Sequence, residues 1–324
     1  MAVTRVIDVE HRRRLLVERH FLGATGRVDR TVGDVVGALS LLHSTDPSTP
    51  YLMLHARTDA SVADVDAVLY ETRELVRHTC VRRTVFVMPF DTARAAHGAA
   101  NDAIVAKLRA QLVGWIDASE DPLSEGRDAA EFLARVEGLV LERLTDGGPA
   151  TGTVLADDIE ELRLRFDPMP GAAYSKPQRI TSKVLEILAA SGGIARAQPT
   201  GADFTSGSWT WASTTDWFAG RLDLTAVDGG GGRDVGHDEA AALASLLDRY
   251  LAAFGPATVT DMTWWTGLTK TKVRAALGTI DAEEVVLDGG DEPGFVRGGD
   301  ALEVAGAAVG SDAGDRPAGP IVAL

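Results

Sequence analysis

LERLTDGGPATGTVLADDI at 141–159 and LAAFGPATVTDMTWWTGL at 251–268 carry the same tetrapeptide, Gly-Pro-Ala-Thr, at the same place in one local pattern. An amphipathic segment precedes each copy. Phe132, Val136, Leu139, Val140 and Leu144 recur at helical spacing before the first, and Leu243, Leu246, Leu247, Tyr250, Leu251 and Phe254 before the second. Gly148 and Gly255 then end the helix, Pro149 and Pro256 prevent its continuation, and Thr151 and Thr258 are placed to cap the next segment. Helix, tight turn, helix is the predicted unit. After the second copy, LTKTKVRAALGTI (268–280) predicts a short helix beginning near Thr269, and EEVVLDGGDEPGFVRGGDALEV (283–304) predicts two strands around a Gly-rich turn. That order is a winged helix, a helix-turn-helix followed by a β-hairpin.

The first copy runs through the loop FDPMPGAAYSKPQ (166–178) into a helix over 179–190, and IARAQPTGADFTSGSWTWAST (194–214) then predicts a hairpin. A more divergent third copy is read at the start. There VEHRRRLLVERHFL (9–22) and TVGDVVGALSLLH (31–43) are helical, and RELVRHTCVRRTVFVMP (73–89) supplies paired strands. With a linker over 117–128, the expected organisation is an N-terminal unit at 1–116, a second at 129–225 and a third at 236–306. The fold class is therefore α+β, mainly α, built from tandem winged-helix units.

A chain of 324 residues exceeds what one hydrophobic core usually supports, in keeping with several units. No run approaches the roughly 18 apolar residues of a membrane span, and MAVTRVIDVEHRRR carries charge where a signal peptide is apolar. The reading is a cytoplasmic protein without a membrane partner, expected as a monomer. The lone Cys80 sits in an alternating stretch and reads as a buried structural thiol. The formal net charge of −15 opposes a nucleic-acid partner. Its distribution weakens that objection, because about ten carboxylates between Asp281 and Asp315 face only Arg297. Arg5, Arg12, Arg13, Arg14, Arg19, Arg27 and Arg30, and later Arg73, Arg77, Arg82, Arg83, Arg94, Lys107 and Arg109, outnumber their acidic neighbours. Screening beyond about 8 Å at physiological salt lets such a local patch decide.

Winged helices usually touch DNA, although some are protein–protein modules. Thr269, Lys270, Thr271, Lys272 and Arg274, together with Arg82, Arg83 and Lys176, are the residues suited to phosphate or base edges. A solvated helix face explains the same cations. In LLHSTDPSTPYLMLHAR (41–57) the plain reading is a turn, with Thr45 and Asp46 bonding nearby backbone. The alternative is that His43, Thr45 and Asp46 present an imidazole, a hydroxyl and a carboxylate that could hold and activate water. Spacing leaves both open. No histidine set has metal-ligand spacing, GGGGR at 229–233 lacks the context of a nucleotide loop, and no cofactor is expected. Trp209, Trp211, Trp217, Trp264 and Trp265 read as core residues.

Taken together, DVVGALSLLHSTDPSTPYLMLHAR (34–57), LYETRELVRHTCVRRTVFVMP (69–89), GSWTWASTTDWF (207–218) and DMTWWTGLTKTKVRAAL (261–277) resemble the bacterial winged-helix DNA glycosylases, the group that includes the azinomycin-resistance and interstrand-crosslink enzymes. The resemblance covers most of the chain and implies a C-shaped body of winged helices with a C-terminal β-barrel. It implies excision of alkylated purines, often bulky N7 or N3 adducts, from double-stranded DNA. The family's Gln-apolar-Gln signature, with Gln-apolar-Asp and His-apolar-Gln variants, falls here on His43-Ser44-Thr45. Thr45 departs from that signature, and either shares the second role with Asp46 or marks a member without activity. GPIVAL (319–324) resembles the start of the segment leading into the barrel, so the barrel is expected to be truncated. The resemblance thus implies a monofunctional N-glycosylase; the alternative is a non-catalytic DNA-binding protein, a regulator or damage binder.

Overall fold

The computed structural model describes residues 5–23, 30–171, 175–201, 204–225 and 239–300; the Gly-rich stretch 229–233 and the segment 307–324 lie outside them. Strand β1 (Val6–Ile7) and helix α1 (Val9–Arg19) come first. Then α2 (Val32–Leu39), β2 (Leu42–His43), α3 (Thr49–His55), α4 (Val62–Asp66) with a π-helical continuation over Ala67–Glu71, β3 (Leu75–Cys80) and β4 (Thr84–Pro89) follow. The long α5 (Phe90–Asp117) leads to α6 (Ala129–Gly147), β5 (Ala150–Thr151), α7 (Gly152–Asp158), and a small ladder of β6 (Arg165–Phe166) with β7 (Gln178–Arg179). After it come α8 (Thr181–Ala190), β8 (Ile194–Pro199), β9 (Trp209–Ser213) and α9 (Thr214–Trp217). The chain then forms α10 (Glu239–Phe254), β10 (Ala257–Thr258), α11 (Val259–Thr266), α12 (Lys270–Leu277), β11 (Ala282–Leu287) and β12 (Gly294–Arg297).

One arrangement occurs three times: helix, two-residue strand, helix, helix, hairpin. In each, the short strand pairs antiparallel with the second strand of the hairpin, giving the orders β2-β4-β3, β5-β9-β8 and β10-β12-β11. The protein is a mixed α and β fold, about half helical, with no closed barrel among the described residues. The Gly-Pro-Ala-Thr turns are built as their chemistry dictates. Gly148 ends α6 at φ +71°, and the Thr151 hydroxyl accepts from the Val154 amide. Thr258 forms a full capping box with Asp261. Each such cap satisfies amides that a helix start otherwise leaves unbonded, stabilising it by roughly 0.5–2 kcal/mol.

The helix expected over 9–22 exists but does not serve as the first helix of the first repeat. That place belongs to α2, whose Val32, Val35, Val36 and Leu39 are buried. Instead β1 adds in parallel to β11, Ile7 and Leu15 pack on Val285 and Val296, and Arg19 donates to the Gly255 carbonyl at 2.6 Å. The physical reason is polarity: α1 carries four arginines and buries only Leu15, so it covers a surface.

Two larger cores organise the remainder. One runs from the first repeat into the third, where Val35, Leu42, Val87, Met88, Ala93 and Ala96 join Leu246, Leu247 and Leu251. The second lies inside the middle repeat, where Phe132, Val136, Val140, Leu155, Ile180 and Leu188 are enclosed. Helix α5 belongs to both: Ala93, Ala95, Ala96, Ala99 and Ala100 fill its first half, and Val105, Leu108, Leu112 and Ile116 its second. Small side chains let α5 lie close to α10. Larger ones then reach the middle repeat, each stabilising by roughly 1.5–3 kcal/mol on burial.

Candidate active site

The segment after β2 leaves the sheet at a defined point. His43 is paired with Phe86 on β4, and the Ser44 amide donates to the Val85 carbonyl at 2.8 Å, so pairing extends one residue beyond the strand. Strand alternation then sorts the side chains. His43 is half-buried, Ser44 is buried, and Thr45 and Asp46 are exposed. The His43 ring stands edge-on to Phe86, with centroids 5.9 Å apart. Among the described residues it makes no hydrogen bond, which leaves both ring nitrogens for a ligand.

Asp46 makes the turn. Its Oδ1 accepts from the Ser48 amide at 2.9 Å and from the Ser48 hydroxyl at 2.5 Å, and its carbonyl accepts from the Thr49 amide at 3.3 Å. Pro50 then sits in the first turn of α3. Of the plain reading of 41–57, Asp46 bonds the nearby backbone as expected while Thr45 makes no such bond among the described residues, and the turn is confined to the few residues between β2 and α3. It coexists with a particular electrostatic state. The Ser48 hydroxyl first, its amide second, and more weakly the nearby His43 hold the Asp46 carboxyl below the usual carboxylate range. A fully ionised, solvent-facing carboxylate thus stands near an imidazole. That pair can hold a water, take its proton and stabilise a cation beside it.

The residues proposed from sequence for DNA contact divide into two groups. Arg82 and Arg83 lie in the β3–β4 turn, both at positive φ (57° and 58°), and each meets a side chain of another repeat. The Arg82 guanidinium stands 4.5 Å from the Trp264 ring of α11, and Arg83 pairs with Glu186 of α8 at 2.6 Å. The hairpin tip therefore joins all three repeats. Thr269 caps α12 by accepting from the Lys272 amide, Lys270 reaches Glu292 at 3.5 Å, and Lys272 pairs with Glu239. Thr271, Arg274 and Lys176 are exposed, and neither Arg274 nor Lys176 forms an ion pair among the described residues. Trp264 differs from its expected core role, being 60% exposed, whereas Trp217 is buried and Trp265 packs on Tyr250 and Phe254.

Sequence reasoning missed a polar cluster on β3, a strand buried along its whole length. His78 bonds the His97 ring at 3.1 Å, and Asn101 donates to the Thr79 and Ala190 carbonyls at 2.8 and 2.7 Å, tying β3 to α8. Arg77 projects beside Tyr70 and Trp209. The available signal was a charged residue inside an otherwise uninterrupted strand pattern. No group of three or more His, Cys, Asp and Glu residues among the described residues could hold a metal, and no described helix is long and apolar enough to cross a membrane.

Comparison with known proteins assigns this thrice-repeated arrangement of helices and hairpins to a family. Residues 36–320 match the model of the family described as DNA glycosylase AlkZ-like, and the chain belongs to that family. Among solved structures it is similar to the Streptomyces sahachiroi DNA glycosylase AlkZ, with a TM-score of 0.57 and 20% identity over 90% of this chain and 70% of that one. That likeness is one of fold. No curated protein matches the chain.

Proposed function

We propose that the chain is a monofunctional DNA N-glycosylase that removes N7- or N3-alkylated purines, bulky or crosslinked adducts included, from double-stranded DNA. Its three repeats are read as winged helices within 1–116, 129–225 and 236–306, acting as a monomer and gripping the duplex through exposed cations such as Arg274 and Lys176. The observation that carries the reading is the 43–46 turn. It exposes Thr45 and Asp46, tucks Ser44 inward and leaves the His43 ring nitrogens without a partner among the described residues, at the place where the resemblance puts the family's signature triplet.

An N7- or N3-alkylated purine already bears positive charge, so the base departs with the electron pair of the glycosidic bond and becomes neutral. The protein has to stabilise the cationic sugar and deliver water. Asp46 faces the developing charge, Thr45 orients the water, and His43 accepts its proton as the new C–O bond forms at the anomeric carbon. Because Oδ1 of Asp46 is held by Ser48, Oδ2 is the oxygen turned to this task.

Duplex DNA containing N7-alkylguanine gains alkali-labile sites above the spontaneous rate when the protein is present. If none form while the protein still shifts the duplex in a gel, the protein is a DNA binder without glycosylase activity, a reading that Thr45 in place of an amide or carboxylate favours.

A further inference from the structure

We propose that the seam between β3 and the β8–β9 hairpin is an oxyanion site, in which Arg77, with Arg196 and the Tyr70 hydroxyl, binds a phosphate group. The primary observation is Arg77 itself. It is 5% exposed, and its Nε, Nη1 and Nη2 lie outside hydrogen-bond geometry with every described residue, the Tyr51 hydroxyl and the Asp66 carboxylate acting on it only from nearby. Trp209 lies 4.2 Å from the guanidinium carbon, but an aromatic ring engages the flat face of a guanidinium, whereas its N–H donors point outward in its plane. The stacking therefore leaves those donors unsatisfied. The nearby Asp66 gives its Oδ1 to the Tyr51 hydroxyl at 2.6 Å rather than to Arg77.

A second cation increases the demand for an anion. Arg196, on β8, faces Trp211 across the hairpin with its guanidinium 5.0 Å from that ring, and its only hydrogen bond among the described residues is to the Thr79 hydroxyl at 3.4 Å. Burial, and then the charge of Arg77, draw its basicity down to about 10. Glu186, the acid that acts on Arg196, is bonded to Arg83 and Lys183. The buried Tyr70 hydroxyl, beside Tyr51, also meets no partner in hydrogen-bond geometry among the described residues.

Arg77 thus lies close to a second guanidinium on one side and to the Tyr70 hydroxyl on the other, and the only acceptor bonded to either guanidinium among the described residues is the Thr79 hydroxyl, long at 3.4 Å from Arg196. An uncompensated buried charge is strongly unfavourable. A group with several acceptor oxygens and negative charge resolves it, and the fork of a guanidinium fits phosphate in two-point fashion. The hairpin is loosened at this place: Arg196 pairs with Trp211 and Pro199 with Trp209, so one extra residue bulges from β8 beside the two arginines. The phosphate can be a phosphodiester of bound DNA or free inorganic phosphate, and the site does not depend on glycosylase activity.

The test compares wild type with Arg77→Met, which keeps the packing volume and removes a buried charge, and with Arg196→Met in case the first variant folds poorly. Thermal unfolding is followed against inorganic phosphate at constant ionic strength, with chloride as control, and affinity for undamaged duplex is followed against salt. For the wild type, a saturable rise in Tm of roughly 2–4 °C with phosphate is expected. For the variants, that rise is lost. If DNA supplies the phosphate, the variants also lower the slope of log affinity against log salt by about one. A Tm rise without a slope change assigns the site to free phosphate, and a slope change alone assigns it to DNA. Neither effect, in proteins that fold, overturns the site.

Discussion

Adding one methyl group at Gly267 probes how firmly the β3–β4 tip is seated in the third repeat. Gly267 follows α11 at φ +72°, and a Cβ there would lie 2.8 Å from Arg82 Cγ, 3.8 Å from Cδ and 3.9 Å from Cβ. The clashing atom is close to the backbone of Arg82, which is itself at positive φ, so the side chain cannot simply swing away. Two penalties then add in Gly267→Ala. A left-handed conformation costs a non-glycine residue about 1–2 kcal/mol, and overpacking costs about 1–3 kcal/mol more. Gly289, in the β11–β12 turn of the same repeat, has φ +73° and nothing within 4 Å of an added Cβ, so Gly289→Ala carries the first penalty alone. Urea unfolding of the two variants should give losses of roughly 2–5 and roughly 1–2 kcal/mol respectively. Equal losses would refute the reasoning, because the tip would then be pressing on nothing.

Other consequences follow from buried ionisable groups and free cations. Burial lowers the His20 pKa from 6.5 to about 4, although its bond to the Ala253 carbonyl pulls the other way. The folded state therefore holds this ring neutral while the unfolded chain protonates it below pH 6.5. His20 thus contributes stability that is present above pH 6.5 and lost as the pH falls toward 4, by about 3 kcal/mol. His20→Gln should flatten part of that slope in urea unfolding, the buried His78 supplying a loss of the same sign; an unchanged slope would count against it. Cys80 is buried and its thiol is pushed up to about 12, so it should react with a thiol reagent only after unfolding, and rapid labelling of the native protein would contradict the packing of β3. Arg274→Glu should weaken duplex binding and lower the salt slope by about one, and unchanged affinity would remove α12 from the DNA interface.

The scaffold was legible in the sequence where local chemistry decides the backbone. Gly148, Thr151 and Thr258 act at the turns as their residue types require, and the hairpins at 194–213 and 282–297 follow from alternation and Gly-rich turns. What could not be read was long-range partnership. The arginines of α1 give no sign that the strand before it joins β11, and nothing in the residue types of Arg82 and Arg83 announces that they meet Trp264 and Glu186. Trp264 shows the converse: it occupies a helical pattern beside Trp265 but faces outward, since one helix turn cannot bury two adjacent residues on one face. For the candidate site, the sequence showed a turn and a possible catalytic group at once. The structure shows why these do not compete: Asp46 uses Oδ1 and its carbonyl to shape the turn and still presents an exposed, ionised carboxylate near His43. Arg77 stayed hidden because an arginine within a strand reads as a surface residue until its neighbours are known.

The most direct test of the account is the single-turnover rate of excision of N7-alkylguanine from duplex DNA by wild type and His43→Ala, measured with both proteins saturated by DNA. If His43 takes the proton of the attacking water, the substitution lowers the rate roughly 10²-fold or more, while affinity for the duplex is retained. A His43→Ala protein that excises the base as fast as wild type would contradict the assignment of chemistry to this turn.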